Sequence, residues 1–133
     1  MKAKYLLDTN VCVRYLRGNE RIIERMRATP DAEIAISVIS VLELLYGAAK
    51  ARDPKEARAD AIALISPWCQ LPIQPVLDIY VRERLRLERV GQRVGEFDVL
   101  IAATAVAHGL IAVTDNVKHL GRIDGITIEN WQR

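Results

Sequence analysis

Tyr5-Leu6-Leu7-Asp8 and Leu110-Ile111-Ala112-Val113-Thr114-Asp115 decide the fold, because each is a short apolar run that stops on an acid. Such a run, bounded by polar residues, reads as a buried strand. Strands apolar on both faces belong to a parallel sheet covered on each side by helices. Working outward, Glu33 to Ser37 carries Ile34 and Ile36 in another such strand, and Leu71 to Ile73 and Ile126-Thr127-Ile128 supply two more. Between them the pattern turns helical. Asn10 is placed to cap a first helix with Val11, Cys12, Tyr15 and Leu16 on one stripe, closed by Gly18, and a second runs from Glu20 to Ala28. Val38 to Ala51 is apolar nearly all round, as expected of a buried helix. Asp53 caps a helix through Ile65 with Pro54 at its first position. Val76 to Val90 is amphipathic, Phe97 to His108 is nearly all apolar and ends at Gly109, and Asn116 to Leu120 makes one turn. Strands alternating with helices predict an α/β fold with a mainly parallel sheet.

The chain has 133 residues, half of them apolar and 27% charged, which predicts one globular domain over residues 1–133. Its longest apolar stretch, Val99 to Val113, is broken by Thr104, His108 and Gly109 and falls short of the roughly 20 residues a membrane helix needs. Only Tyr5 to Leu7 follow the basic opening residues, so no export leader is expected. Cys12 and Cys69 form neither a C-x-x-C pair nor a zinc-ligand spacing, and a reducing cytoplasm fits them. Both cysteines, with Tyr5 and Tyr46, read as packing residues, and Trp131 as the anchor of the last strand. His108 fits a helix C-terminus and His119 a polar loop.

Asp8 and Asp115 sit at carboxyl ends of strands, where open parallel sheets bind ligands. Glu43 falls within two turns of the helix after the second strand, and Asp98 at the start of the helix that feeds the fourth. Taken singly, Asp8, Asp98 and Asp115 are helix caps, and Ser40-Val41-Leu42-Glu43 is a capping box. A helix that starts near Ser37, however, leaves Glu43 in its interior among Leu42, Leu44 and Leu45, where a lone charge is costly unless paired or on metal. Taken together, four converging carboxylates repel one another unless a divalent cation compensates them. All-oxygen ligands select Mg²⁺ or Mn²⁺ and substrates that bring phosphate oxygens, so phosphodiester hydrolysis is the natural chemistry. Thr9, Asn10, Thr114 and Asn116 flank the acids and offer further polar contacts, or serve as turn and cap residues.

Nineteen Lys and Arg oppose seventeen Asp and Glu, a net charge of +2. Setting the four site acids aside leaves thirteen acids against nineteen bases, a balance compatible with RNA. Arg82, Arg86, Arg89 and Arg93 recur at spacings of four, three and four, placing them on one face. They either track a phosphate backbone or form a solvated face with Glu83 and Glu88.

Four motifs in order resemble the PIN-domain ribonucleases, and among them the VapC-type toxins of bacterial toxin–antitoxin pairs. Leu7-Asp8-Thr9-Asn10 resembles the family's D-x-N opening, and Glu43-Leu44-Leu45-Tyr46-Gly47 its E-L-x-x-G helix. Asp98-Val99-Leu100-Ile101-Ala102-Ala103 is similar to its D-x-x-I-A-A helix start, and Thr114-Asp115-Asn116 to its T-D-N strand end. Leu120 departs from the family, which often carries Phe a few residues after the fourth acid. The resemblance implies a three-layer α/β/α domain and a Mg²⁺- or Mn²⁺-dependent endoribonuclease, with Asp8, Glu43, Asp98 and Asp115 as catalytic and metal-binding acids. It further implies a homodimer, a VapB-type antitoxin that joins it in a larger hetero-oligomer, and transfer RNA, initiator tRNA included, as substrate. Two rivals differ in class. A PIN-like module that binds RNA or protein without cutting would lack the acids, and a phosphatase with Asp8 as nucleophile would carry D-x-D, where this chain has Asn10.

Overall fold

The computed structural model describes residues 2–133. Five strands, β1 (Tyr5–Leu7), β2 (Ile34–Ser37), β3 (Cys69–Leu71), β4 (Ile111–Val113) and β5 (Thr127–Glu129), form one sheet in the order β3-β2-β1-β4-β5. Every pairing is parallel, and Leu7 lies opposite Val113. Among the described residues seven α-helices complete the three-layer α/β/α fold: α1 (Thr9–Leu16), α2 (Glu20–Arg27), α3 (Val38–Ala49), α4 (Pro54–Ile65), α5 (Leu77–Arg89), α6 (Glu96–His108) and α7 (Val117–Leu120). Chain order reverses between β1 and β4, and a crevice opens beyond the carboxyl ends of strands at such a reversal.

Alternation along the strands sorts the core into two faces. Leu7, Ile36 and Val113 pack against Val11, Cys12, Ile22, Ile65 and Trp131, whereas Leu6, Ala35 and Ala112 pack against Ile101 and Ala105 of α6. Helix α3 serves both, through Leu44 on one side and Ile39 on the other. A third cluster joins α5, α6 and α7 through Leu87, Val99 and Leu120, and Leu120 is wholly buried there, so leucine fills the place where the resembled family often has Phe. Trp131 anchors the chain end as expected. Its ring meets Tyr5 edge-on at 5.2 Å and its Nε1 donates to Glu129.

The fully buried Glu83 ties α5 to the loop before β5. Its carboxylate accepts two bonds from Arg86 and one from the Asp124 backbone N–H at 2.6 Å. Burial pushes the Glu83 pKa up, but these bonds and the charges of Arg86 and Arg82 outweigh it and hold the group below its usual value.

Several sequence expectations are corrected. The third strand is Cys69–Leu71, not Leu71–Ile73, because Pro72 has no N–H to give the ladder and pairing to β2 ends at Leu71. Asp8, not Asn10, caps α1, and Asn10 is exposed on its first turn. Cys69 is exposed, as is Tyr46, which carries the Lys50 ammonium 4.6 Å above its ring. Helix α3 is not buried all round, since Val38, Leu42 and Tyr46 form an exposed stripe.

Candidate active site

Residues from β1, α3, α6 and β4 carry the four acids to the crevice side of the sheet. Asp8 follows β1 directly and is almost completely buried. One of its oxygens accepts from the Thr9 N–H at 2.8 Å, and the other from the Thr114 hydroxyl at 2.7 Å. Thr114 in turn accepts from the Asn116 N–H at 3.0 Å, so β4 and the turn after it fix the Asp8 rotamer.

Helix α3 begins at Val38 with Ser37 as its cap, whose hydroxyl oxygen accepts from the Ile39 N–H. The Ser40–Glu43 capping box therefore does not form. Glu43 lies mid-helix, and its Oε1 accepts from the Thr9 hydroxyl at 2.6 Å. Thr9 Oγ1 also lies 2.8 Å from the buried Ser40 hydroxyl, which helps to fix it. Asp98 is the third residue of α6, whose cap is Gly95, so Asp98 does not cap it either. An open depression of about 330 Å³ is lined by Glu43, Gly95, Glu96, Phe97 and Asp98.

Electrostatics couples three of these acids. Burial pushes the Asp8 pKa up to about 6; the charges of Asp98 and Glu43 add to the rise, and the bonds from Thr114 and Thr9 oppose it. Asp98 is raised as well by burial, with His119 pulling the other way. Among the described residues no group of three or more His, Cys, Asp and Glu side chains is drawn together as a formed metal cage. The donor chemistry nevertheless fits a hard divalent cation. Asp8 is a buried carboxylate that receives two hydrogen bonds and, among the described residues, no cationic partner, and its acidic neighbours make a positive charge favourable there.

Asp115 stands differently. It caps nothing, since α7 follows Asn116 and has no side-chain cap, and its carboxylate is paired with Arg14 of α1.

The sequence pattern of the PIN domain matches residues 5–126. The chain belongs to the PIN-domain family. Within that family it is similar to the tRNA(fMet)-specific endonuclease VapC of Salmonella typhimurium, with 36% identity over 130 residues, 96% of this chain and 98% of that protein. The protein of the same name from Shigella flexneri is 30% identical over 129 residues, again 96% and 98% of the two chains. Among solved structures, DNA-bound VapBC from Salmonella typhimurium gives a TM-score of 0.90 at 35% identity, covering 97% of this chain and 98% of that one. VapBC2 from Rickettsia felis, bound to a promoter DNA fragment, gives 0.86 at 30% identity, covering 96% and 98%.

The arginine stripe does not survive in this PIN domain. Gly91, in the left-handed region at φ 69°, follows the end of α5, and Arg93 lies in the loop beyond, outside the helix face. Arg86 turns inward to Glu83 and Asp124, Arg82 lies 3.6 Å from Glu83, and Arg93 reaches toward Glu88. Arg89 remains exposed. The sequence reading missed Arg14, gave Ser40 a capping role in place of its contact with Thr9, and left out His119, whose Nδ1 meets the Asn116 Oδ1 at 2.9 Å. Arg14 carried no local signal, because its partner is 101 residues away along the chain.

Proposed function

We propose that this PIN-domain chain is the ribonuclease toxin of a toxin–antitoxin pair, cutting RNA phosphodiesters with a Mg²⁺ or Mn²⁺ ion, and that transfer RNA, initiator tRNA included, is its substrate. The observation that carries this reading is Asp8, a buried acid at the reversal of strand order whose pKa is raised by burial and by Asp98 and Glu43. Asp8 and Asp98 are the principal ligands. Glu43 joins them directly or through water, with Thr9 fixing its orientation. A bound divalent ion lowers the pKa of its water and neutralises charge on the phosphoryl oxygens. Thr114 fixes the Asp8 rotamer through its hydroxyl, and behind it the Asn116 N–H bonds to Thr114 and the His119 ring to the Asn116 side chain. The identity to proteins named tRNA(fMet)-specific endonuclease supports the choice of substrate.

Two apolar features support the partners. Val13, Leu16, Leu44, Ala48 and Ala61 line a groove of about 350 Å³ between α1, α3 and α4, with Glu43 in its wall. This groove suits an antitoxin segment that lays apolar side chains along it and brings a basic one to the acids. The VapBC complexes among the structural neighbours support such a partner, in a larger assembly with the toxin. Leu77, Val81 and Leu85 repeat every four residues along the exposed side of α5, as Val38, Leu42 and Tyr46 do on α3, and both helices pack beside α6. Stripes of this kind on a soluble chain mark a contact surface, assigned here to a homodimer. Val81→Asp is expected to shift the chain from dimer to monomer in sedimentation velocity, and a dimer that persists would remove α5 from the interface.

Cleavage of a total tRNA pool by the antitoxin-free protein tests the main reading. Defined fragments are expected with Mg²⁺ or Mn²⁺ and none with EDTA, and Asp98→Asn should cut about 10²-fold more slowly, the loss of about 2.7 kcal/mol of transition-state stabilisation. Cutting in EDTA, or retention of RNA without cutting by folded protein, overturns it.

A further inference from the structure

The pairing of Arg14 with Asp115 sets the fourth acid apart from the other three. Arg14 projects from the last turn of α1 onto the Asp115 carboxylate, and the two side chains are 37% and 23% exposed, so the pair sits at the protein boundary rather than free in water. The guanidinium has a second holder in the C-terminal tail. With its amide oxygen turned toward Arg14, Gln132 accepts from Nη1 at 2.7 Å and Nε at 3.2 Å. Gln132 is positioned by its own N–H to Asn130 Oδ1 at 3.0 Å, next to the buried Trp131. Arg14 is thus fixed from two sides, and a guanidinium cannot lose its proton in a protein. Among the described residues Asp8 has no such partner, and the charges that press on it are those of Asp98 and Glu43.

We infer that Arg14 is the resident cation of Asp115, supplying the positive charge this acid would otherwise draw from a second metal ion, so that the site takes one divalent ion on its Asp8–Glu43–Asp98 side. The inference rests on the metal-dependent reading above and refines it. A second divalent ion on Asp115 would have to break a held ion pair and stand beside a permanent positive charge. Arg14 is a positioning residue in this scheme. It acts through Asp115, fixing how many ions the acids gather rather than touching the reacting atoms.

The test counts Mn²⁺ by the loss of its free-ion paramagnetic resonance signal on titration into full-length protein. Wild type is expected to take one ion per chain. Arg14→Gln should take a second, at least tenfold more tightly than any weak second site of wild type, and Arg14→Gln/Asp115→Asn should return to one. Asp115→Asn alone should keep one ion, which holds the test open if Arg14→Gln proves poorly folded by circular dichroism. Two equivalent ions in wild type overturn the inference and leave the metal reading standing. So does a single ion in well-folded Arg14→Gln, or loss of the ion in Asp115→Asn. No Mn²⁺ in wild type overturns the metal reading itself, and the inference with it.

Discussion

Asp8→Asn is expected to lower RNA cleavage at saturating Mg²⁺ by about 10³-fold while making the metal-free protein more stable at pH 8, by about 1–2 kcal/mol. The two effects share a cause. Burial, with the charges of Asp98 and Glu43, disfavours the ionised form of Asp8 and lifts its pKa from 3.8 to about 6. At about 1.4 kcal/mol per unit, that is roughly 3 kcal/mol of destabilisation above pH 6. Asparagine removes the charge and keeps the shape. Part of the gain is offset, because the Thr114 hydroxyl now meets an amide donor while it still accepts from the Asn116 N–H. A pure helix cap predicts something else, since Asn caps as well as Asp and the substitution would leave stability unchanged. Urea unfolding of both proteins in EDTA separates the two roles. In Mg²⁺ the order should reverse, because wild type gains the free energy of ion binding and the variant little of it. A variant that is inactive and also less stable in EDTA would return Asp8 to a structural role.

Strands β1, β2 and β4 were legible because a central parallel strand is buried on both faces, and its apolar run stops where the backbone leaves the sheet. The three site acids near them were legible for the same reason: Asp8 ends such a run, Glu43 interrupts an apolar helix, and Asp98 opens one. β3 was misplaced by two residues because it is an edge strand in which only Leu71 is buried, so its apolar signal drifts toward Ile73. Helix α3 was read as buried because an apolar stripe looks the same in sequence whether the chain's own core or a partner covers it. The arginine stripe failed at Gly91, where helical spacing ends before Arg93, and at Glu83, whose burial draws Arg86 inward. Arg14–Asp115 and Thr9–Glu43 were invisible for a different reason. Each pair joins side chains that only the finished sheet brings together.

Binding of Mn²⁺ is expected to weaken about tenfold for each pH unit below about 6 and to be nearly flat above pH 7, the slope of one proton displaced from Asp8 per ion bound. The sign for stability follows from the same shift. Because the folded pKa of Asp8 lies above the unfolded value of 3.8, the native state keeps its proton between about pH 4 and 6 where the unfolded chain has lost it. Metal-free stability therefore falls as pH rises through that window and levels off above it, and Asp98, also raised, adds in the same direction. Glu83 acts oppositely and lower on the scale. Its stabilisation is in place above its unfolded pKa of 4.5 and is lost as pH falls through its depressed folded value. Calorimetric titration with Mn²⁺ at pH 5, 6, 7 and 8 reads the slope, and equal affinities at pH 5 and 8 would remove Asp8 from the ligand set. Cleavage gives an independent check. Proton and ion compete for one carboxylate, so activity lost at pH 5 should return as Mn²⁺ is raised, whereas activity lost through unfolding would not.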